Sequence, residues 1–132
     1  MNILEVKDLD MSYTTIDGDV KAVKNVSFSV KEGESFGIVG ESGCGKTSVS
    51  MSLLQLQADN GKITNGEIIF DGKNIVGLSE SQLREVRWSG ISIVFQGAMN
   101  SWNPVVKIGE QIREAMRDII LTKLKKKIPK KL

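Results

Sequence analysis

Short runs of alternating apolar and polar residues fill the first thirty positions: "ILEVKDL" and "VKAVKNVSFSV", parted by "TTIDGDV". A period of two puts alternate side chains on opposite faces of a strand, so these runs predict strands with one buried face. Asp17-Gly18 between them is a strong two-residue hairpin signal, and the pair should be antiparallel. After a turn at Gly33 the pattern changes. "SFGIVG" is almost continuously apolar, as in a strand covered on both faces within a parallel sheet. It ends at Gly40, and a helix is expected from about Lys46 through "TSVSMSLLQLQ".

Further on, "NGEIIFDGKNI" reads as a strand, an Asp71-Gly72 turn and a short strand. "LSESQLREVRW" opens a helix in which Ser79 and Gln82 stand three apart, the spacing of a capping box. "ISIVFQ" resembles a second buried strand. In "VVKIGEQIREAMRDII", Ile108, Ile112, Ala115, Met116 and Ile119 recur at three- and four-residue steps and make one apolar helical stripe. Strands and helices together predict an α/β chain of one domain at most, with no internal repeat.

Composition narrows this reading. The chain has 132 residues, 40% hydrophobic and 26% charged, an ordinary balance for a globular domain. No apolar run approaches the roughly 20 residues of a membrane-spanning helix, and "MNILEVKDLD" lacks the basic start and apolar centre of a secretory signal. A cytoplasmic protein is expected. One cysteine and no histidine exclude a disulfide framework and a thiolate or imidazole metal cluster. The net charge of +2 arises in one place: the last ten residues, "KLKKKIPKKL", hold six lysines and no acid. Such a tail could bind anionic lipid weakly, but the expectation for residues 123–132 is a solvated, disordered end, with no nucleic-acid partner.

The chemistry is concentrated in "IVGESGCGKTS". Gly40, Glu41, Ser42, Gly43, Cys44, Gly45, Lys46 and Thr47 fit G-x-x-x-x-G-K-[ST] at every fixed position, after an apolar run and before a predicted helix. Glycines let the backbone curl so that consecutive N–H groups converge on phosphate oxygens, and the helix N-terminus adds partial positive charge. The main-chain amides of positions 40 to 48, through Ser48, would grip the phosphates. Lys46 would reach the β- and γ-phosphates, and the Thr47 hydroxyl would ligate Mg²⁺. Cys44 is read as a small filler of the loop rather than a redox switch.

The match extends beyond the loop. Residues 2 to about 115 resemble the N-terminal half of the ATP-binding subunits of ABC transporters, in particular the dipeptide/oligopeptide importer group, which also includes nickel importers. The segments that carry this are "DGDVKAVKNVSFSVKEGESFGIVGESGCGKT", "NGEIIFDGKNIVGLSESQLREVRW" and "ISIVFQGAMNSWNPVVKIGEQIREAM". The resemblance implies a P-loop ABC-type nucleotide-binding domain over residues 1–122, N-terminal part only, with an antiparallel β subdomain and an incomplete parallel core sheet. It implies a glutamine loop around 96 and the start of a helical subdomain at about 106–122. Tyr13 falls where the family stacks an aromatic ring on adenine. Gln96 matches the glutamine that reaches Mg²⁺ and the attacking water, so Thr47 and Gln96 are the implied metal contacts. Gly97-Ala98 replace the usual Asp-Pro, and Trp102 replaces the usual leucine. ATP and Mg²⁺ are the implied cofactors; transmembrane permease subunits and a second ATP-binding subunit are the implied partners. The implied location is the inner face of the cell membrane, as a peripheral protein.

The family's Asp-Glu strand, L-S-G-G-Q signature and switch histidine find no counterpart. "IIFD", residues 68–71, ends in a turn with no Glu after it. "LSESQ", residues 78–82, has Glu80 and Ser81 in place of the two glycines and is better explained as a helix cap. The expectation is a truncated chain that holds MgATP without cleaving it at a useful rate. Set against a transporter subunit are a non-hydrolysing nucleotide-binding interaction module, a non-functional gene fragment, and a stand-alone P-loop kinase, which leaves the β-rich N-terminus unexplained.

Overall fold

The computed structural model describes residues 1–95, 97 and 102–127. The chain divides into two compact units, residues 1–78 and 79–132.

The first unit is built on a four-stranded sheet: β1 (Asn2–Thr15), β2 (Gly18–Lys31), β3 (Gly61–Phe70) and β4 (Lys73–Asn74). Its order is β2-β1-β3-β4 and every pairing is antiparallel. The expected antiparallel pairing of β1 with β2 is present, and β3 pairs along the other edge of β1, which makes β1 an inner strand. Val6, Leu9 and Met11 of β1, Val23 of β2 and Ile68 of β3 are buried, together with Val49 and Leu54 of helix α1 (Lys46–Leu54) and Ile75.

The long strands bend at a shared kink. Asp8 and Asn25 both adopt φ of 48°, and the register of β1 against both neighbours shifts around Asp8. Side chains hold the bulges: the Asp8 amide donates to Ser27 Oγ at 2.8 Å and the Asn25 amide to Asp10 Oδ1 at 2.9 Å. On the other flank Gly66, at φ +95°, leaves so little room that a Cβ there would lie 2.5 Å from the carbonyl oxygens of Lys7 and Asp8. Paired bulges of this kind sharpen the twist of a sheet.

The two turns follow backbone chemistry. At Asp71 and Gly72, φ is 48° and 74°, the double left-handed geometry that an Asp-Gly pair favours. At the first hairpin Thr15 pairs with Gly18, so the loop is Ile16-Asp17, one residue earlier than expected. Neither loop residue has positive φ; Gly18, at +119°, takes it instead. A β-branched residue such as Ile16 resists the left-handed region, which passes the demand to the glycine. Helix α1 stops at Leu54, short of Gln57, because Gln55 turns left-handed at φ 49° and its side-chain amide is drawn to the Ile75 carbonyl.

Two expectations require correction. Residues 35–40 and 91–95 were expected as strands of a parallel core sheet, and neither is a strand. A strand exists through hydrogen bonds to a neighbour, and among the described residues neither run has one. Residues 35–40 are exposed throughout, Val39 to 96%, although Phe36 stacks on Phe28 with ring centroids 4.9 Å apart. An apolar extended run left open invites pairing between molecules. A polypeptide of these 132 residues should show a sedimentation-average mass that rises with concentration, and Val39→Lys should lower it. A monomer at every concentration would contradict this.

The second unit contains α2 (Glu80–Ser89) and α3 (Ile108–Lys127), which pack against each other. Ser79 precedes α2 and its amide donates to Gln82 Oε1 at 3.0 Å, the expected capping-box contact. Residues 78–82 are thus a helix start. The apolar stripe of α3 is largely open: Ile108, Ile112 and Met116 are exposed and Ala115 is half-buried. The helical backbone continues through positions 123–127 of the lysine-rich stretch expected to be disordered; 128–132 lie outside the described residues. Among the described residues no helix is long and apolar enough to cross a membrane.

Candidate functional site

The loop that precedes α1 is fixed from both ends. At its helix end Gly45 is the N-cap, with φ 92°, and the Val49 amide donates back to its carbonyl at 2.9 Å. A Cβ on Gly45 would stand 2.4 Å from the Ala22 carbonyl oxygen, so only glycine lets the loop lie this close to β2. Gly43, at φ +79°, supplies the other left-handed bend. These two glycines supply the left-handed backbone that the curl of the loop requires.

Lys46 folds back into the loop that it follows. Its ammonium donates to the Gly40 carbonyl at 2.7 Å and the Glu41 carbonyl at 2.5 Å, and lies 3.4 Å from Cys44 Sγ. The Cys44 amide donates to the Glu41 carbonyl at 3.3 Å. Cys44 Sγ sits over Gly40, 2.6 Å from where a Cβ would be. The thiol thus fills the loop, as the sequence reading had it, while also being exposed.

Beside the loop runs a groove of about 530 Å³, lined by Tyr13, Val20, Lys21, Ala22 and Gly43 through Ser48. The size is within the range of small-molecule sites. The amides of Gly45, Lys46, Thr47 and Ser48 open α1, so no carbonyl one turn earlier accepts them, and they carry the positive end of the helix dipole. Lys21 and Lys46 add two cations to the lining, which includes no carboxylate. The arrangement can hold a polyanion by main-chain amides and ammonium groups together.

Tyr13 enters from β1, where it pairs with Val20 of β2 and Gly61 of β3. The bare Gly61 leaves room for the ring, since a Cβ there would come within 2.9 Å of Tyr13 Cε1. The phenolic oxygen is 3.3 Å from Ser48 Oγ.

Of the residues singled out in the sequence, Tyr13 and Gly43 to Ser48 therefore share one groove. Gly40 and Glu41 take part through their carbonyls, and Ser42 is exposed and outside the lining. Gln96, the other implied metal contact, lies outside the described residues. Thr47 is exposed in the lining and presents one hydroxyl oxygen, and among the described residues no cluster of three histidines, cysteines or carboxylates could hold a metal. That donor set fits a hard cation brought by phosphates and does not fit a resident metal. Val20, Lys21 and Ala22 were missed. Pairing outward from the expected Asp17-Gly18 turn places Ala22 beside Tyr13; the observed loop at Ile16-Asp17 puts Val20 there instead.

Comparison with known proteins gives a consistent result. The family model described as ABC transporter matches residues 23–131. The chain is 43% identical over 114 residues to the dipeptide transport ATP-binding protein DppD of Lactococcus lactis subsp. cremoris, and 45% identical over 114 residues to the oligopeptide transport ATP-binding protein OppD of Escherichia coli. Each match takes in 86% of this chain but 33% and 34% of those relatives, so the chain spans about a third of their length. Among solved structures, the dimeric MJ0796, a bacterial ABC transporter cassette, superposes with a TM-score of 0.74 at 27% identity, over 86% of this chain and 47% of that one.

Proposed function

The chain belongs to the ABC transporter family, and from that premise we propose that it is the ATP-binding component of a peptide importer, with residues 40–48 as the grip on the triphosphate. The observation that carries this is the groove lined by Lys21 and by Gly43 to Ser48, at the opening of α1 where the first amides have no helical partner. The peptide-importer reading is supported by the relatives DppD and OppD, both named as transport ATP-binding proteins.

In this reading the phosphates displace the Gly40 and Glu41 carbonyls from part of the Lys46 ammonium. Thr47 would hold Mg²⁺ through its hydroxyl oxygen, and the metal would supply neutralisation of phosphate charge. Tyr13 meets the base. Permease subunits and a second ATP-binding subunit are the partners, and the location is the inner membrane face, as a peripheral protein.

Cleavage of the γ-phosphate needs groups that place a water and stabilise the spreading charge, and loss of such groups commonly costs factors of about 10² or more. The groove lining offers no carboxylate for that purpose. A polypeptide of these 132 residues should bind ATP and release phosphate no faster than the uncatalysed background. Continuous measurement of phosphate release at saturating MgATP tests this; turnover that Lys46→Ala abolishes would overturn the non-hydrolysing reading.

A further inference from the structure

We infer that Ser48 is a positioning residue for Tyr13, and that this single contact couples recognition of the base to the phosphate-binding loop. The inference rests on the nucleotide reading of the groove. It starts from the one side-chain hydrogen bond that ties Tyr13 to α1, with the phenolic oxygen 3.3 Å from Ser48 Oγ and both groups half-buried.

Three features make the contact specific. Tyr13 stands on the central strand, between Val20 and Gly61, so its backbone is held on both sides. Gly61 provides the space in which the ring lies, and the ring edge would clash with any larger residue there. Left to these two constraints alone, the ring is still free to turn about its side-chain bonds. A hydrogen bond at the far end restricts that freedom, because it acts on the tip furthest from the backbone.

Ser48 is suited to this from its own side. It is the third residue of α1, in the turn whose amides face the groove, and its carbonyl accepts the Ser52 hydroxyl at 2.7 Å. Its position is therefore set by the helix that the phosphates would contact. A shift of that turn when phosphates bind would be passed directly to the ring. The family's aromatic position is expected to act by stacking alone, in which case phenylalanine would serve as well as tyrosine. The Ser48 contact makes the phenolic oxygen matter.

The test is a double-mutant cycle on the full 132-residue chain, with Mg²⁺-ATP and Mg²⁺-tripolyphosphate as the two probes. Tripolyphosphate reports the loop and ATP reports the loop plus the base. Ser48→Ala and Tyr13→Phe should each shrink the preference for ATP over tripolyphosphate by about three- to tenfold, the scale of one hydrogen bond. The double variant should lose no more than either single one, because both delete the same bond. Circular dichroism on each variant shows that the fold is kept.

Losses that multiply in the double variant would overturn the inference, as would a preference for ATP left unchanged by Ser48→Ala. Equal weakening of both probes by Ser48→Ala would do the same, since Ser48 would then act on phosphate directly. If the unaltered chain binds neither probe, the nucleotide reading itself falls and this inference falls with it. If it binds both and only the cycle fails, the nucleotide reading stands.

Discussion

Replacing Lys46 with alanine is expected to lower the affinity of the chain for MgATP by about a hundredfold or more. The ammonium already makes two hydrogen bonds, to the carbonyls of Gly40 and Glu41, and the residue is part of the groove lining at the opening of α1. Hydrogen bonds to charged groups contribute about 1.5–3 kcal/mol each. Two of them to a triphosphate amount to about 3 kcal/mol or more, and every 1.4 kcal/mol is a factor of ten in binding. No strand pairing depends on this side chain, so the far-ultraviolet circular dichroism should be that of the unaltered protein. Retention of the original affinity by a folded Lys46→Ala variant would remove the ammonium from the account.

The largest effect on stability is expected at Gly66→Ala. Two costs combine there. Its φ of +95° is one that L side chains rarely adopt, and the added Cβ would meet the carbonyl oxygens of Lys7 and Asp8 at 2.5 Å. Both are backbone atoms of the central strand at its bulge, so relief requires β1 and β3 to separate. A destabilisation of about 3 kcal/mol or more is expected, a large share of the roughly 5–15 kcal/mol that holds a domain folded. Gly72→Ala serves as the comparison. Its φ is +74° with nothing within 4 Å of the new Cβ, so it bears the conformational cost alone, about 1 kcal/mol. Chemical denaturation of both variants separates the contributions; equal losses would show that the tight approach at Gly66 is relieved without cost.

The contrast between these two glycines also marks what the sequence could reveal. Asp71-Gly72 was legible because its geometry follows from two adjacent residues. The capping contact of Ser79 with Gln82 was legible for the same reason, as were the left-handed bends at Gly43 and Gly45, which local spacing sets. The kink at Asp8, Asn25 and Gly66 was not, because it brings three strands together and no local pattern announces it. Residues 35–40 and 91–95 have the apolar character of buried strands, yet burial is a property of the neighbours as much as of the run. Without a paired strand among the described residues, 35–40 stand exposed, and of 91–95 only Ile91 and Ile93 are half-buried. The groove shows a similar division. Its floor was read from one short motif, whereas its wall at Val20, Lys21 and Ala22 depends on hairpin register. The Tyr13 contact to Ser48 joins positions 35 apart in sequence and has no signature in either neighbourhood.

The central claim is that a ring of main-chain amides around the loop, completed by one ammonium, receives phosphate. The lysines of the final ten residues offer a rival cationic surface for any polyanion. The most direct measurement is therefore a residue-resolved one: amide nitrogen–proton spectra of the chain, recorded as Mg²⁺-ATP is added. The account predicts saturable shifts at Gly43, Gly45, Lys46, Thr47 and Ser48, with Gly66 and Gly72 unmoved. Shifts confined to positions 123–132, or no shift at the loop at saturating nucleotide, would contradict it.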